Sequence, residues 1–398
     1  MIAVDKAQCC GCSACESICP SKCIFMAEDQ EGFLYPNVDM KRCIGCKLCE
    51  RVCPVLNVEE EQVFEQDAYI VQNTDEKVCL QSTSGGAFTA IANEVIEQNG
   101  IVFGAAFDEE FNVKHIGTTS KDEIEKFRNS KYVQSDIRGT YREVQKRIKK
   151  GQLVCYSGTP CQIEGLKRFL GKESDKLLTV DVVCRAVPSP LVWRKYVEMQ
   201  RNKLDDLISN IRFRDKRYGY KYSSMNFTNK SGKRIYSSGV ESDLMHRAFF
   251  SNICDRPSCY SCVFKKQYRV SDFTIWDCFQ VGRFSKKLDN DMGATRVLIH
   301  SDKGKELFEK IKDNFVYIKI SSDSAIATAK EMFESVPYNA KRDKFMEEMA
   351  SEDAMEVFRK YLPDSFKIKI ERFIRHMCLK IGIYRLAKKV IVKMTGKY

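Results

Sequence analysis

From residue 68 onward, continuous apolar runs alternate with stretches in which apolar residues return every three or four positions. Residues 68–72 predict a short strand, and Ser82-Thr83-Ser84-Gly85-Gly86 a turn. Residues 87–98 then carry Phe88, Ile91, Val95 and Ile96 at helical spacing, with Gly100 as the stop. The pattern continues as a strand over 101–107, a helix over 142–150 and a strand over 153–156. Ser157-Gly158-Thr159-Pro160 predicts a turn, followed by a helix over 161–170 and a strand over 177–183. Strands alternating with helices imply α/β layers.

Before residue 58 the pattern is set by cysteine instead. Ten of the 19 Cys fall within residues 1–53. Cys9-x2-Cys12-x2-Cys15-x3-Cys19-Pro20 recurs as Cys43-x2-Cys46-x2-Cys49-x3-Cys53-Pro54. This is the bacterial two-cluster ferredoxin run, in which three close thiolates clamp one cubane and the fourth Cys ligates the other. Cys9, Cys12, Cys15 and Cys53 are thus assigned to one [4Fe–4S] cluster, and Cys19, Cys43, Cys46 and Cys49 to the second. The competing readings are a zinc knuckle and a disulfide module. Cys10 and Cys23 fall outside the pattern and read as plain thiols.

The remaining composition narrows the class. The chain has 398 residues, 43% of them hydrophobic, with 9 Pro and 21 Gly, which excludes disordered and collagen-like chains. No apolar run approaches the roughly 18 residues of a membrane span. The start, Met-Ile-Ala-Val-Asp-Lys, predicts no secretory leader. A cytoplasmic location follows as an expectation, and with it metal or redox work for the cysteines. Residues 365–398 hold seven Lys and three Arg against Glu371, placing +9 of the net +11 there. The nearly neutral remainder does not suit nucleic-acid binding.

Cubanes move single electrons, whereas organic substrates usually exchange two, and a flavin joins the two regimes. No G-x-G-x-x-G follows a strand. The two Ser/Gly turns, at Ser84-Gly85-Gly86 and Ser157-Gly158-Thr159-Pro160, each open a helix and offer backbone N–H groups to an anion. Taken alone, either is better explained as a Ser N-cap and a Gly turn.

Five segments occur in order: Ser82-Thr83-Ser84-Gly85-Gly86; Ser130-Lys131-Tyr132-Val133-Gln134-Ser135; Ser157-Gly158-Thr159-Pro160-Cys161-Gln162; Val182-Val183-Cys184 with Val187-Pro188-Ser189-Pro190; and Arg256-Pro257-Ser258-Cys259-Tyr260-Ser261-Cys262. Over residues 1–300 the set resembles the beta subunit of coenzyme F420 hydrogenase/dehydrogenase. The resemblance implies an FAD- and cluster-containing oxidoreductase that connects ferredoxin-type clusters to a two-electron partner. That partner is the deazaflavin F420 in methanogen enzymes and another organic substrate elsewhere, as in a chlorophyll-cycle reductase of plants. Many bacterial relatives accompany polysaccharide-synthesis genes.

Carried over by residue, Ser84, Gly85 and Gly86 would cradle FAD phosphates, and Ser130, Lys131 and Tyr132 would lie along the flavin. Lys131 would stabilise the reduced flavin and is the one catalytic candidate. Gly158, Thr159 and Pro160 would allow close backbone approach. Cys161, Cys184, Cys259 and Cys262 would hold a third [4Fe–4S] cluster. Cys254, Cys259, Cys262 and Cys278 mimic plant-type [2Fe–2S] spacing as an alternative, while Cys79, Cys155 and Cys378 read as structural. Two departures bear on the substrate pocket: Arg185-Ala186 where the family has His-Gly, and Trp276 where it has Gly.

The expected fold is α+β / α/β. Residues 1–57 form a two-cluster ferredoxin-type domain and 58–67 an acidic linker. Residues 68–150 are the FAD-binding part of an α/β flavin-binding body, and 151–362 its part with cluster ligands and substrate pocket. Residues 363–398 form a C-terminal helical tail, basic and amphipathic, suited to the inner face of a membrane. Expected partners are ferredoxin or a similar carrier and an unidentified organic substrate. The expected function is electron transfer from ferredoxin-type clusters through FAD to that substrate. The alternatives are an electron-transfer subunit without its own substrate, an F420-dependent hydrogenase/dehydrogenase beta subunit, and a cluster-stabilised scaffold without activity.

Overall fold

The computed structural model describes residue 2, residues 4–381 and residue 383. Ahead of the main sheet, β1 (Ile24–Glu28) and β2 (Leu34–Val38) pair antiparallel with Ile24 opposite Val38. Their turn is built on Asp29, whose carboxylate accepts from the N–H groups of Glu31 and Phe33. The short helices Ala14–Ile18 and Leu48–Arg51 pack against each other beside this hairpin. Ile24, Met26, Cys15 and Cys53 are buried together.

The apolar runs of the body become strands. In chain order these are β3 (Asp67–Asn73), β4 (Ile101–Phe107), β5 (Val113–Thr118), β6 (Val154–Gly158) and β7 (Leu177–Val182). A separate three-stranded sheet follows, from β8 (Asn210–Asp215), β9 (Ser224–Thr228) and β10 (Arg234–Gly239). The chain then returns through β11 (Phe273–Asp277), β12 (Thr295–Ile299) and β13 (Phe315–Ile320). The main sheet has eight strands in the order β13-β3-β12-β11-β7-β6-β4-β5. Residues 68–150 and 151–362 therefore contribute to one sheet.

Helices Ala87–Glu97 and Asp302–Ile311 cover one face, burying Ile91, Val95 and Phe308 on Val102, Val180 and Phe273. Helices Thr140–Lys149 and Pro160–Leu170 cover part of the other, where Val144, Ile163 and Leu166 meet Phe103, Val154 and Tyr156. Strands covered on both faces need unbroken apolar sequence, which is why these runs do not alternate. The first helix ends differently from its sequence signal. Its left-handed residue is Asn99 (φ +58°), and Gly100 is required because a Cβ there would stand 2.5 Å from the Val95 carbonyl oxygen.

β4, β6, β7 and β11 run parallel. β12 opposes both β11 and β3, so β3 points the same way as β11. The carboxyl ends of five strands thus share one edge, the place where open α/β sheets bind ligands.

The acidic stretch is pinned rather than loose. Glu59 pairs with Arg168 at 2.9 Å, Glu61 accepts from the Tyr268 N–H at 2.6 Å, and Gln66 meets His300 at 2.8 Å. The N-terminal unit itself is fastened by Arg256, which is fully buried. Its guanidinium donates to the carbonyls of Cys9 (2.7 Å) and Leu34 (3.0 Å) and to Gln134 Oε1 (2.7 Å), and lies 4.2 Å from the centre of the Tyr35 ring. Arg142 donates to the Ser17 and Glu16 carbonyls, and Arg342 pairs with Glu31.

Helix Phe366–Lys380 begins the tail; residues 384–398 of the predicted tail lie outside the described residues. No described helix is long and apolar enough to cross a membrane.

Replacing Arg256 by Met would leave the Cys9 and Leu34 carbonyls without this donor at a buried seam. The expected loss is about 3 kcal/mol, read as a lower urea midpoint together with faster proteolysis within residues 58–66. An unchanged midpoint would show that the seam is held elsewhere.

Candidate functional site

Both cysteine runs bend the same way. Gly11 and Ser13 in the first, and Gly45 and Lys47 in the second, take left-handed backbone with φ between +56° and +72°. Each run thereby wraps a cavity. One is lined by Cys9, Cys12, Cys15 and Cys53, with Cys10 among its further walls. The other is lined by Cys19, Cys43, Cys46 and Cys49, with Cys23 beside them. The structure thus gathers the eight ferredoxin cysteines in the crossed groups that their spacing predicts. No group of three or more His, Cys, Asp or Glu among the described residues is placed to hold a single metal ion; these cysteines line cavities instead.

Electrostatics distinguishes the cages. Burial pushes the Cys15 thiol far up, helped by the neighbouring thiols of Cys9 and Cys53. Burial also acts upward on Cys19, but the Ser21 hydroxyl and the Cys23 N–H bring it down to about 7.

The third cysteine set comes from three separate segments. Cys161 lies in the first turn of the helix after β6, Cys184 follows β7, and Cys259 lies in the turn Pro257–Ser261 with Cys262 directly after it. Burial raises Cys184 to about 12, with further contributions from Cys161 and Cys262. Cys259 is raised by burial and then by Cys184 and Cys262, and Cys262 by burial and then by Cys161. Cys184 and Cys262 are therefore within electrostatic reach of both Cys161 and Cys259. Lys265 donates to the carbonyls of Cys184 (2.5 Å), Arg185 (3.1 Å) and Glu331 (2.8 Å), holding the loop that carries Cys184.

Cys10, expected to be a plain thiol, makes side-chain contacts with both Cys12 and Cys161. It lies between the near cage, the one lined by Cys9, Cys12, Cys15 and Cys53, and the third set, and the Cys9-Cys10 doublet was its only sequence signal. The [2Fe–2S] alternative is not assembled: Cys254 and Cys278 are fully buried in two different cores. Cys79 is also fully buried, its thiol directed at the Asn73 and Gly85 carbonyls, and Cys155 sits inside the sheet.

At the carboxyl edge the structure joins two of the predicted segments. The Ser130 N–H donates to Thr83 Oγ1 at 2.7 Å, and the two hydroxyls lie 3.0 Å apart. Half-buried Lys131 donates to the Arg128 and Asn129 carbonyls, both at 3.2 Å, and burial lowers its ammonium to about 7. The Tyr132 hydroxyl accepts from Arg214 at 3.0 Å, and Arg214 pairs with Asp277 at 3.1 Å. The Tyr220 hydroxyl donates to the same carboxylate at 3.0 Å. Lys216 donates to the carbonyls of Cys79, Ser84 and Met292, at 2.5, 2.6 and 2.5 Å, and so fixes the Ser84 loop. None of Arg214, Lys216, Tyr220 and Asp277 was singled out from sequence.

Three expectations for this edge need correction. The N–H of Gly85 is not free for a phosphate, because it donates to Thr295 Oγ1 at 2.8 Å. Gly85 is required by packing: a Cβ would stand 2.4 Å from the Val71 carbonyl oxygen and 2.8 Å from the Thr295 nitrogen. At the second turn, the Thr159 N–H is taken by Gln162 Oε1 at 2.9 Å, which closes a capping box. The Trp276 ring packs on Ala68, Leu298 and Ala325. It lies on the opposite face of β11 from Asp277 and does not fill that side of the edge. The helix Ala87–Glu97 starts at Gly86 (φ +80°) with no side-chain cap, and this start is buried: a Cβ on Gly86 would stand 2.8 Å from Val78.

Residues 151–323 match the family model for the C terminus of the coenzyme F420 hydrogenase/dehydrogenase beta subunit. Residues 8–57 match that of the 4Fe-4S dicluster domain. No curated protein matches the sequence. Among solved structures, a chain of the F420-reducing [NiFe] hydrogenase complex from Methanosarcina barkeri aligns at 15% identity and a TM-score of 0.41. The alignment covers 77% of this chain and 94% of that one. The chain is thus similar to the 4Fe-4S dicluster domain over residues 8–57, where the cysteine cages lie, and to the C terminus of the coenzyme F420 hydrogenase/dehydrogenase beta subunit over residues 151–323.

Proposed function

We propose that the chain is an electron-transfer subunit of the F420 hydrogenase/dehydrogenase beta type, connecting a one-electron carrier to an organic two-electron acceptor. The observation that carries this reading is the continuity of three cysteine groups: the surface cage, the near cage, and the third set that Cys10 joins to it. When bound, [4Fe–4S] clusters would supply one-electron transfer and FAD the conversion to two-electron chemistry. In this reading Cys9, Cys12, Cys15 and Cys53 hold the near cluster, and Cys19, Cys43, Cys46 and Cys49 the surface one. Cys161, Cys184, Cys259 and Cys262 hold a third.

For FAD the residues fit in part. Lys131, tied through Ser130 and Thr83 to the loop before the helix Ala87–Glu97, suits an anionic ring. Gly85 and the Thr159 turn do not serve as cradles. Tyr132, Arg214 and Asp277 orient one another at the same edge and offer an acceptor both hydrogen-bond donors and a carboxylate. The acceptor is coenzyme F420 or another organic molecule, and a polysaccharide precursor belongs to the second class. An electron-transfer subunit without its own substrate differs only in needing a catalytic partner for turnover.

The tail gives this function a location, on an anionic membrane surface. Phe366, Ile370, Phe373, Ile374 and Met377 are 41–79% exposed along the helix Phe366–Lys380. That apolar face, in a segment carrying +9, suits an interfacial helix.

Anaerobically loaded protein is expected to hold about twelve iron atoms, falling to about eight in Cys259→Ala; an equal count in both removes the third cluster. Flavin released on denaturation should approach one per chain, and its absence after incubation with FAD leaves a cluster-only subunit.

The Lys131 test concerns pH. Its folded value of about 7 lies below the unfolded value of about 10.4, so between them the unfolded chain binds the extra proton and stability rises with pH. Lys131→Met should flatten that rise between pH 7 and 9 in urea titrations. An equal slope in both proteins would mean that Lys131 keeps its proton.

Cosedimentation with anionic vesicles should be strong at low salt and fall as salt rises, and a chain ending at Leu362 should stay in solution. Full-length protein that ignores such vesicles would make the tail a protein-docking helix.

A further inference from the structure

The two cages differ in how they meet solvent. Around the near cage, Cys12, Cys15 and Cys53 are buried, whereas Cys46 of the other cage is exposed. Gly45, beside it, has nothing within 4 Å of where a Cβ would sit. The backbone over this cage can therefore be touched directly by another protein.

The surroundings of that opening carry a positive excess. Residues 40–47 contain Lys41, Arg42 and Lys47 and no acid, and Lys22 and Arg51 lie close in sequence to the cage residues Cys19 and Cys49. All five cations are exposed, and none forms an ion pair with a described residue. Of the acids nearby, Glu28 pairs with Arg194, Asp29 with Lys6 and Glu31 with Arg342. Asp39, which accepts from the Lys41 N–H, and Glu50, which lies within the influence of Lys47, keep negative charge at the border, so five cations face two acids there. Between the cations stand two exposed apolar side chains, Ile44 at 68% and Met40 at 59%.

We propose that this rim is the docking surface for a small acidic one-electron carrier protein of the ferredoxin or flavodoxin type. The proposal rests on the reading that the cage holds a cluster. A small apolar centre inside a net-positive rim suits a transient complex: the charges raise the encounter rate and orient the partner, while the limited apolar contact lets it leave. The reaction balances as one electron leaving the reduced carrier and one arriving at the surface cage, with no bond made or broken.

The test uses cluster-loaded full-length protein and a reduced acidic bacterial ferredoxin, followed by stopped-flow bleaching. The charge-reversed variant Lys41→Glu/Arg42→Glu/Lys47→Glu should be reduced at least tenfold more slowly at low salt. Its rate should lose the decline with salt that the natural protein shows. Iron content and the final extent of bleaching by dithionite should match. The milder Lys41→Gln/Lys47→Gln variant should fall between the two and serves if the triple variant loads iron poorly. Equal ferredoxin rates and equal salt dependence in fully loaded variants would overturn the proposal. If the natural protein bleaches with dithionite but never with ferredoxin, docking fails while the cluster reading stands. If it neither loads iron nor bleaches, the cluster reading itself has failed.

Discussion

The guanidinium of Arg256 sits where two pieces of chain that share no strand must keep a fixed separation. One N–H group is committed to the carbonyl of Cys9, at the start of the first cysteine run, and another to the carbonyl of Leu34 in the hairpin. Directly after Arg256 the same segment enters the turn Pro257–Ser261, which carries Cys259. One buried cation thus holds the near cage and the third cysteine set in register. Its neighbours are shaped to admit it. A Cβ on Gly11 would stand 2.9 Å from the guanidinium and 2.8 Å from Gln134, so this glycine serves the seam as well as the bend of the run. A charge without water is costly unless its donors are used, and here they end on two carbonyls and an amide oxygen while the ring of Tyr35 lies against its face.

The carboxyl edge obeys the same rule with different partners. Arg214 is buried and kept charged against the cost of burial by the Asp277 carboxylate, with the hydroxyls of Tyr132 and Tyr220 completing the group. Lys216 lacks such a carboxylate and is satisfied by three carbonyls, which makes it a clamp on the loop preceding the helix Ala87–Glu97. Lys131 has only two longer bonds and a Phe107 ring 5.6 Å away, so its ammonium is the least compensated of the three. A cation left in that condition is the one that gains most from an anionic ligand.

What could be read in advance was what short-range order encodes. Thiol spacing specifies which cysteines can share a cluster, and apolar runs bounded by Gly and Pro specify strands such as β4 and β6. The sheet order and the pairing of Arg214 with Asp277 depend on contacts between distant segments, and no local pattern marks them. Gly85 misled for a related reason. A glycine demanded by close packing against the Val71 and Thr295 backbones looks the same in sequence as one demanded by a ligand. Cys10 lay in plain view, but its neighbour Cys161 is brought to it only by the packing of the helix Pro160–Leu170 on the N-terminal unit. Trp276 could be flagged as a departure, yet which face of β11 it occupies is set by strand parity in the assembled sheet.

Each cage takes three cysteines from one run and its fourth from the other: Cys19 lines the second cavity, and Cys53 lines the first. The two loops are interlocked like clasped hands, so neither cavity can close while the opposite run is unfolded. Assembly of the N-terminal unit is then cooperative by construction, since ordering one cage delivers the last thiol of the other. The same interlock works in reverse under oxidative attack. Damage that enters at exposed Cys46 and opens its cage releases Cys19 and, through the short helix Ala14–Ile18, loosens the run that supplies Cys15. A lesion at the surface would thus be converted into loss of the whole relay.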